Sequence, residues 1–170
     1  SNGKTTTTLL TYHILKKAGL NVGLAGNVGK SLAAQVAGRK RDYYVVELSS
    51  FQLDDMYDFR ADIAVLLNIT PDHLDRYGYS MDNYAASKFR VIRNQTPHDA
   101  FIHCLDDEVT RSKLKKIKVQ PTQYPFSIQQ ELRQGAFLKK SDMIIQTTRT
   151  KPFIMSIFNL ALQGKHNVYN

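Results

Sequence analysis

Two nearly continuous apolar runs, Tyr43–Leu48 and Ile63–Ile69, constrain this chain more than any other feature. A strand with one wet face alternates apolar and polar residues. Runs without alternation therefore predict strands covered on both faces, as in a parallel sheet flanked by helices. Helical patterns lie between them. Residues 4–18 predict a helix with Leu9, Leu10, Ile14, Leu15 and Ala18 on one face and Gly19 as its stop. Asn21–Ala25 reads as a short strand, Gly29–Val36 as a short helix, 81–93 as a longer helix, Ala100–Leu105 as a strand and Glu108–Leu114 as a helix. This alternation predicts an α/β fold with a doubly wound, mostly parallel sheet. After Lys116, short stretches at 118–123, 136–139, 143–148 and 152–157 predict a small antiparallel β addition toward the C-terminus. A length of 170 residues with 42% hydrophobic content suits one domain.

Composition removes several classes of function. No apolar run approaches the about 18 residues of a membrane span. The single cysteine, Cys104, has no internal disulfide partner, which fits a reducing, cytoplasmic setting. The formal net charge of +8 is scattered over Arg39-Lys40-Arg41 and over Lys113, Lys115, Lys116 and Lys118. No aromatic-interleaved basic groove accompanies it, so a nucleic-acid partner is not expected. A modest positive field suits small anionic nucleotides equally well.

The chemistry gathers at predicted strand ends. Ser1-Asn2-Gly3-Lys4-Thr5-Thr6 is the second half of G-x-x-x-x-G-K-[ST], the phosphate loop (P-loop) that sets a lysine and a hydroxyl at a helix N-terminus. The strand and first glycine that precede such a loop are not in the sequence, so the chain is expected to be part of a longer one. Gly26-Asn27-Val28-Gly29, Glu47-Leu48-Ser49-Ser50-Phe51-Gln52 and Asn68-Ile69-Thr70-Pro71-Asp72-His73-Leu74-Asp75 follow three successive strands. Ligands of doubly wound sheets sit at those carboxyl ends. Taken singly, Asn27 reads as a turn residue and Asp72 as a helix cap. Taken together with the phosphate loop, they read as a site. Glu47 ends its strand where a carboxylate can hold Mg²⁺ beside a triphosphate, with Thr5 as the oxygen opposite; a surface ion pair is the plainer alternative.

Lys88 is the anomaly. On the helix from Met81, the residues Met81, Tyr84, Ala85, Lys88, Phe89 and Ile92 form one stripe, whereas Asn83, Ser87, Arg90 and Asn94 form the polar side. An ammonium on an inward stripe either snorkels to water or is a functional lysine with a lowered pKa. The sequence leaves both readings open.

Six motifs in fixed order supply a resemblance: Asn2-Gly3-Lys4-Thr5-Thr6, Gly26–Gly29, Glu47–Leu53, Asn68–Tyr77, Tyr84-x-x-x-Lys88 and Gly164-x-His166-Asn167-x-x-Asn170. Together they resemble the central, ATP-binding domain of the bacterial Mur ligases. The E-L-S-S-F-Q-L stretch is similar to the members that join D-glutamate to UDP-N-acetylmuramoyl-L-alanine, through an acyl phosphate, in peptidoglycan precursor synthesis. The resemblance implies that Asn2, Gly3, Lys4, Thr5 and Thr6 hold the phosphates, and that Asn167 and Asn170 contact adenine. It implies two Mg²⁺ sites drawing on Thr5, Glu47, His73 and Lys88, the last as a CO₂-derived carbamate. Lys4, Glu47, His73 and Lys88 become the catalytic set, and Asn27, Ser49, Gln52 and His73 face the UDP-muramoyl substrate. It further implies that residues 1–170 are the middle domain of a monomeric enzyme. An N-terminal UDP-binding domain and a C-terminal amino-acid-binding domain would be absent, and the fragment alone inactive. Another ATP-dependent amide ligase of the folylpolyglutamate synthase type, or a P-loop module without ligase chemistry, are the competing readings.

Overall fold

A computed structural model of the chain describes residues 1–148, 150–160, 164 and 169. The phosphate-loop residues lead into α1 (Lys4–Lys17), followed by β1 (Val22–Gly26), α2 (Leu32–Ala37), β2 (Tyr43–Glu47), α3 (Ser50–Asp54) and β3 (Ile63–Leu66). A 3₁₀ turn (Leu74–Tyr77), α4 (Met81–Phe89), β4 (Ala100–Cys104), α5 (Glu108–Leu114) and β5 to β8 (Thr122–Ser127, Gly135–Lys139, Asp142–Gln146, Phe153–Ser156) follow, with further 3₁₀ turns at Arg90–Ile92, where α4 stops short of the predicted 93, and at Ile157–Asn159. No helix among the described residues is long and apolar enough to cross a membrane.

The strands form two hydrogen-bonded sheets. β1 and β2 pair in parallel, with Gly26 opposite Glu47. The second sheet runs β3-β4-β5-β6-β7-β8 and is parallel as far as β6. The β6–β7 and β7–β8 pairs are antiparallel, which is the predicted C-terminal addition. The addition starts later than its sequence suggested. β5 spans Thr122–Ser127 instead of 118–123 and joins the parallel part, with Pro125 opposite His103.

The core lies between α4 and the β3–β4 pair: Ala64, Leu66, Ile69, Tyr84, Ala85, Phe89, Ile92 and Phe101 are all buried. Phe89 meets Phe101 edge-on at 6.1 Å. The inward stripe predicted on α4 is present, Lys88 included.

α1 departs from expectation. Its buried residue is Thr8, whereas Leu9, Leu10 and Ile14 are 43%, 38% and 56% exposed. A cleft lined by Thr7 and Thr11 on α1 and by Val65, Leu67 and Ile102 of the large sheet runs beside the helix. α1 rests on β1 and β2 instead, and its leucine face stays open.

Ser87 also departs. It sits on the polar side of α4 yet is buried, because α3 and the loop after it dock there. Ser87 Oγ donates to the Ser50 carbonyl (3.1 Å), Arg90 Nε to Leu53 (2.6 Å), and Asn94 Nδ2 to Tyr57 (2.6 Å) and Phe59 (2.9 Å). Residues 87, 90 and 94 repeat at helical spacing, so the polar stripe supplies side-chain donors to carbonyls of a short helix and the loop after it, including the Leu53 carbonyl that the Met56 amide also reaches at 3.3 Å.

Candidate functional site

Gly3 precedes α1 with φ 84°, a left-handed conformation that glycine adopts without steric cost. The amides of the first turn, unpaired within the helix, then converge on the space before it. Lys4 Nζ folds back onto the Ser1 carbonyl (2.8 Å) and Ser1 Oγ (3.1 Å). Lys88 Nζ reaches the same Oγ from α4 at 3.2 Å. Lys88 is only 5% exposed, which excludes snorkelling. Burial and then the nearby Lys4 push its pKa down to about 8, against the opposing pull of Asp72. The face of Tyr84, 4.7 Å from Nζ, offsets part of that cost. Two cationic head groups on one hydroxyl suit an anionic ligand such as a phosphate.

Glu47 closes β2 and is 4% exposed. Its Oε1 accepts from Asn27 Nδ2 at 3.3 Å, while Oε2 is buried with no hydrogen-bond partner. The Asn27 amide donates to the Glu47 carbonyl at 2.9 Å, tying the loop after β1 to the end of β2. Gly26 permits this contact. At φ 96°, a Cβ there would stand 2.1 Å from the Glu47 carbonyl oxygen. An unpartnered buried carboxylate oxygen is costly, and a divalent cation would satisfy it. Among the described residues, no group of three His, Cys, Asp or Glu side chains could hold a metal. A cation beside Glu47 would therefore complete its shell from hydroxyls such as Thr5, which is exposed on the first turn of α1, and from the bound phosphates.

The third strand end supplies the rim. Asn68 and Asn2 exchange two hydrogen bonds, Asn2 N to Asn68 Oδ1 and Asn68 Nδ2 to the Asn2 carbonyl, both 2.9 Å. Thus β3 is clamped to the phosphate loop. His73 adopts a left-handed conformation (φ 48°, ψ 38°) at the start of the 3₁₀ turn, with Nε2 3.5 Å from Asp72. Both side chains are largely exposed. Phe51 of α3 lies 5.4 Å from the His73 ring and 4.4 Å from the Arg76 guanidinium. Ser49 and Gln52 form a capping box: Ser49 Oγ accepts from the Gln52 amide, and Gln52 Oε1 accepts from the Ser49 amide and hydroxyl. Their polar atoms thereby fix the start of α3, leaving Gln52 Nε2 as a donor for a ligand.

Of the residues singled out from sequence, Lys4 and Lys88 converge on Ser1, with Asp72 close enough to Lys88 to act on its charge and His73 beside Asp72. Asn2 joins Asn68, Asn27 joins Glu47, and Ser49 joins Gln52. No hydrogen bond or ion pair among the described residues links Glu47 to Lys88 or His73. Thr6 is half-buried on the first turn of α1. Asn167 and Asn170 lie outside the described residues. Sequence reasoning passed over Tyr77, whose hydroxyl joins Asp54 (2.8 Å) and Ser87 (3.2 Å). The signal for it was the polar repeat on α4, read only as a wet face.

Comparison with known proteins covers the whole chain. A family model described as the Mur ligase middle domain matches residues 1–170. A UDP-N-acetylmuramoylalanine--D-glutamate ligase from Bacteroides fragilis is 58% identical over 170 residues, 100% of this chain and 38% of that protein. One from Cytophaga hutchinsonii is 52% identical over the same span, again 38% of its own length. The chain thus spans well under half of the relatives it matches. Among solved structures, a UDP-N-acetylmuramoyl-L-alanyl-D-glutamate--2,6-diaminopimelate ligase superposes with a TM-score of 0.73 at 21% identity, over 99% of this chain and 39% of that one.

Proposed function

The chain belongs to the Mur ligase family, as its middle domain, and from that premise we propose that it is the ATP-binding centre of an enzyme joining D-glutamate to UDP-N-acetylmuramoyl-L-alanine. The convergence of Lys4 and the buried Lys88 at the phosphate loop carries this reading. The 58% identity to the D-glutamate ligase of B. fragilis supports the choice of amino acid. Longer flanking parts supply the UDP-binding and amino-acid-binding domains, and the whole works as a cytoplasmic monomer.

In this reading the substrate carboxylate attacks the γ-phosphorus of ATP, giving an acyl phosphate and ADP. The amino group of D-glutamate then attacks the acyl carbon, loses its proton and expels phosphate as the amide forms. Gly3 and the first-turn amides of α1 cradle the phosphates, and Lys4 neutralises charge on the transferring phosphoryl. Thr5 and Thr6 would supply hydroxyls to the phosphates, and Thr5 would also serve Mg²⁺. Glu47, through Oε2, would hold the first Mg²⁺, and His73 with Lys88 would hold a second. Bound Mg²⁺ would supply charge neutralisation and in-line alignment of the phosphates. A pKa of about 8 leaves an appreciable fraction of Lys88 as free amine near neutral pH. That form can add to CO₂ and lose a proton, yielding a carbamate whose oxygens replace a buried cation by an anionic ligand. Asn27, Ser49 and Gln52 Nε2 face the muramoyl substrate, and Asn167 and Asn170 the adenine.

The test is ADP release by the full-length enzyme with ATP, Mg²⁺ and UDP-N-acetylmuramoyl-L-alanine. D-Glutamate is expected to be required, with L-glutamate, L-alanine and diaminopimelate inert. Turnover with another amino acid or with a folate substrate would assign the chain to a different amide ligase. ATP hydrolysis indifferent to all of them would indicate a nucleotide module without ligase chemistry.

A further inference from the structure

We infer that Tyr77 is a positioning residue for the ligation site, acting through its hydroxyl on the turn that presents Asp72 and His73; the inference rests on the function proposed above. Tyr77 closes the 3₁₀ turn that His73 opens. Its hydroxyl lies 2.8 Å from Asp54 Oδ2 on α3 and 3.2 Å from Ser87 Oγ on α4. Ser87 in turn reaches the Ser50 carbonyl at 3.1 Å. One phenol therefore ties the turn bearing His73 to the helix that follows Glu47 and Ser49, and sets its oxygen against the hydroxyl of Ser87 on the helix bearing Lys88.

Proton counting shows why the knot is sensitive. Tyr77 and Ser87 own one hydroxyl proton each, and two partners only accept: the Asp54 carboxylate and the Ser50 carbonyl. Both protons are thereby committed, so the 3.2 Å contact between the hydroxyls gains a proton only when one outer bond is released. Removing the Tyr77 proton strips Asp54 of its donor and frees the turn from α3. Among the described residues, the tie that remains is Phe51 against His73 and Arg76, a ring contact without a hydrogen bond. The Tyr77 ring also packs on Tyr84 at 5.3 Å, and Tyr84 carries Lys88 over its face. Tyr77→Phe keeps that packing and deletes only the hydroxyl.

The experiment uses the full-length enzyme with Tyr77→Phe, Asp54→Ala and the double variant. Ile92→Val, a core change that touches none of the hydrogen bonds of the knot, serves as the stability control. Expected is a kcat about tenfold lower in Tyr77→Phe, KM for ATP within about twofold, and a double variant no worse than either single. Ile92→Val should retain wild-type kcat at equal or greater thermal destabilisation. An unchanged kcat in Tyr77→Phe, additive single effects, or an equal kcat loss in Ile92→Val would each overturn the inference. The NMR signal of the His73 ring Cε1–H gives a second readout that needs no turnover. It should shift in Tyr77→Phe and stay in place in Ile92→Val, and an unmoved signal refutes the positioning role. Absence of ligation by the wild-type enzyme would defeat the function proposed above and leave this resonance to decide the role of Tyr77.

Discussion

Replacing Lys88 by Met should make the domain more stable at neutral pH while abolishing ligation. Lowering the lysine pKa from 10.5 to about 8 means that keeping the ammonium charged in the fold costs about 3 kcal/mol. Water at the rim screens that to about 2 kcal/mol. Methionine has a similar stem and no charge. What it forfeits is the 3.2 Å hydrogen bond to Ser1 Oγ and the contact with the Tyr84 ring, together about 1 kcal/mol. Desolvation wins, and the variant gains about 1 kcal/mol at pH 7. The pH dependence gives a sharper check. Between pH 8 and 10.5 the unfolded chain binds more protons at Lys88 than the folded one, so wild-type stability rises through that window. The advantage of Lys88→Met should shrink across it and change sign inside it. Urea titrations of both full-length proteins in CO₂-free buffer, read by pulsed hydrogen exchange of α4 peptides at one labelling pH, report this domain alone. A variant less stable at pH 7, or a difference that does not move with pH, refutes the argument.

Glu47→Gln should leave the fold intact, since an amide relieves a buried unpartnered charge, yet raise the Mg²⁺ needed for half-maximal activity at least about tenfold; a Mg²⁺ titration of ADP release measures it. Gly26→Ala should destabilise the domain by about 2 kcal/mol and displace Glu47, because its Cβ would meet the Glu47 carbonyl at 2.1 Å. Gly19→Ala, with a similar φ of 82° and nothing within 4 Å, should carry the backbone strain without the loss of activity in the same assays. His103 is buried on β4, and burial pushes its pKa below 6.5, only partly opposed by Gln123. The unfolded chain therefore takes up the proton first, and stability falls as pH drops through 6.5. His103→Leu should flatten that decline in thermal melts between pH 7.5 and 5.

What the chain determined by itself was everything that depends on neighbours in sequence. Unbroken apolar runs gave the parallel strands, although the second covered face they predicted is missing on β3, where Ile63 and Val65 are 63% and 43% exposed, and Gly-Lys-Thr at a helix start gave the phosphate loop. A spacing of three and four placed Lys88 among Tyr84, Ala85, Phe89 and Ile92. Such features arise because side-chain direction along a helix or strand follows local periodicity. Tertiary structure alone decided which faces found a partner. Leu9, Leu10 and Ile14 of α1 match a core stripe yet stay open, while Ser87, Arg90 and Asn94 match a wet stripe yet bind carbonyls 34 to 37 residues away. Polar groups are buried wherever a distant backbone offers them an acceptor, and hydrophobicity patterns carry no record of that offer. For the same reason the sequence marked Lys88 as inward-facing but could not choose between snorkelling and burial. Only the arrival of Ser1 and Lys4 around its head group made that choice.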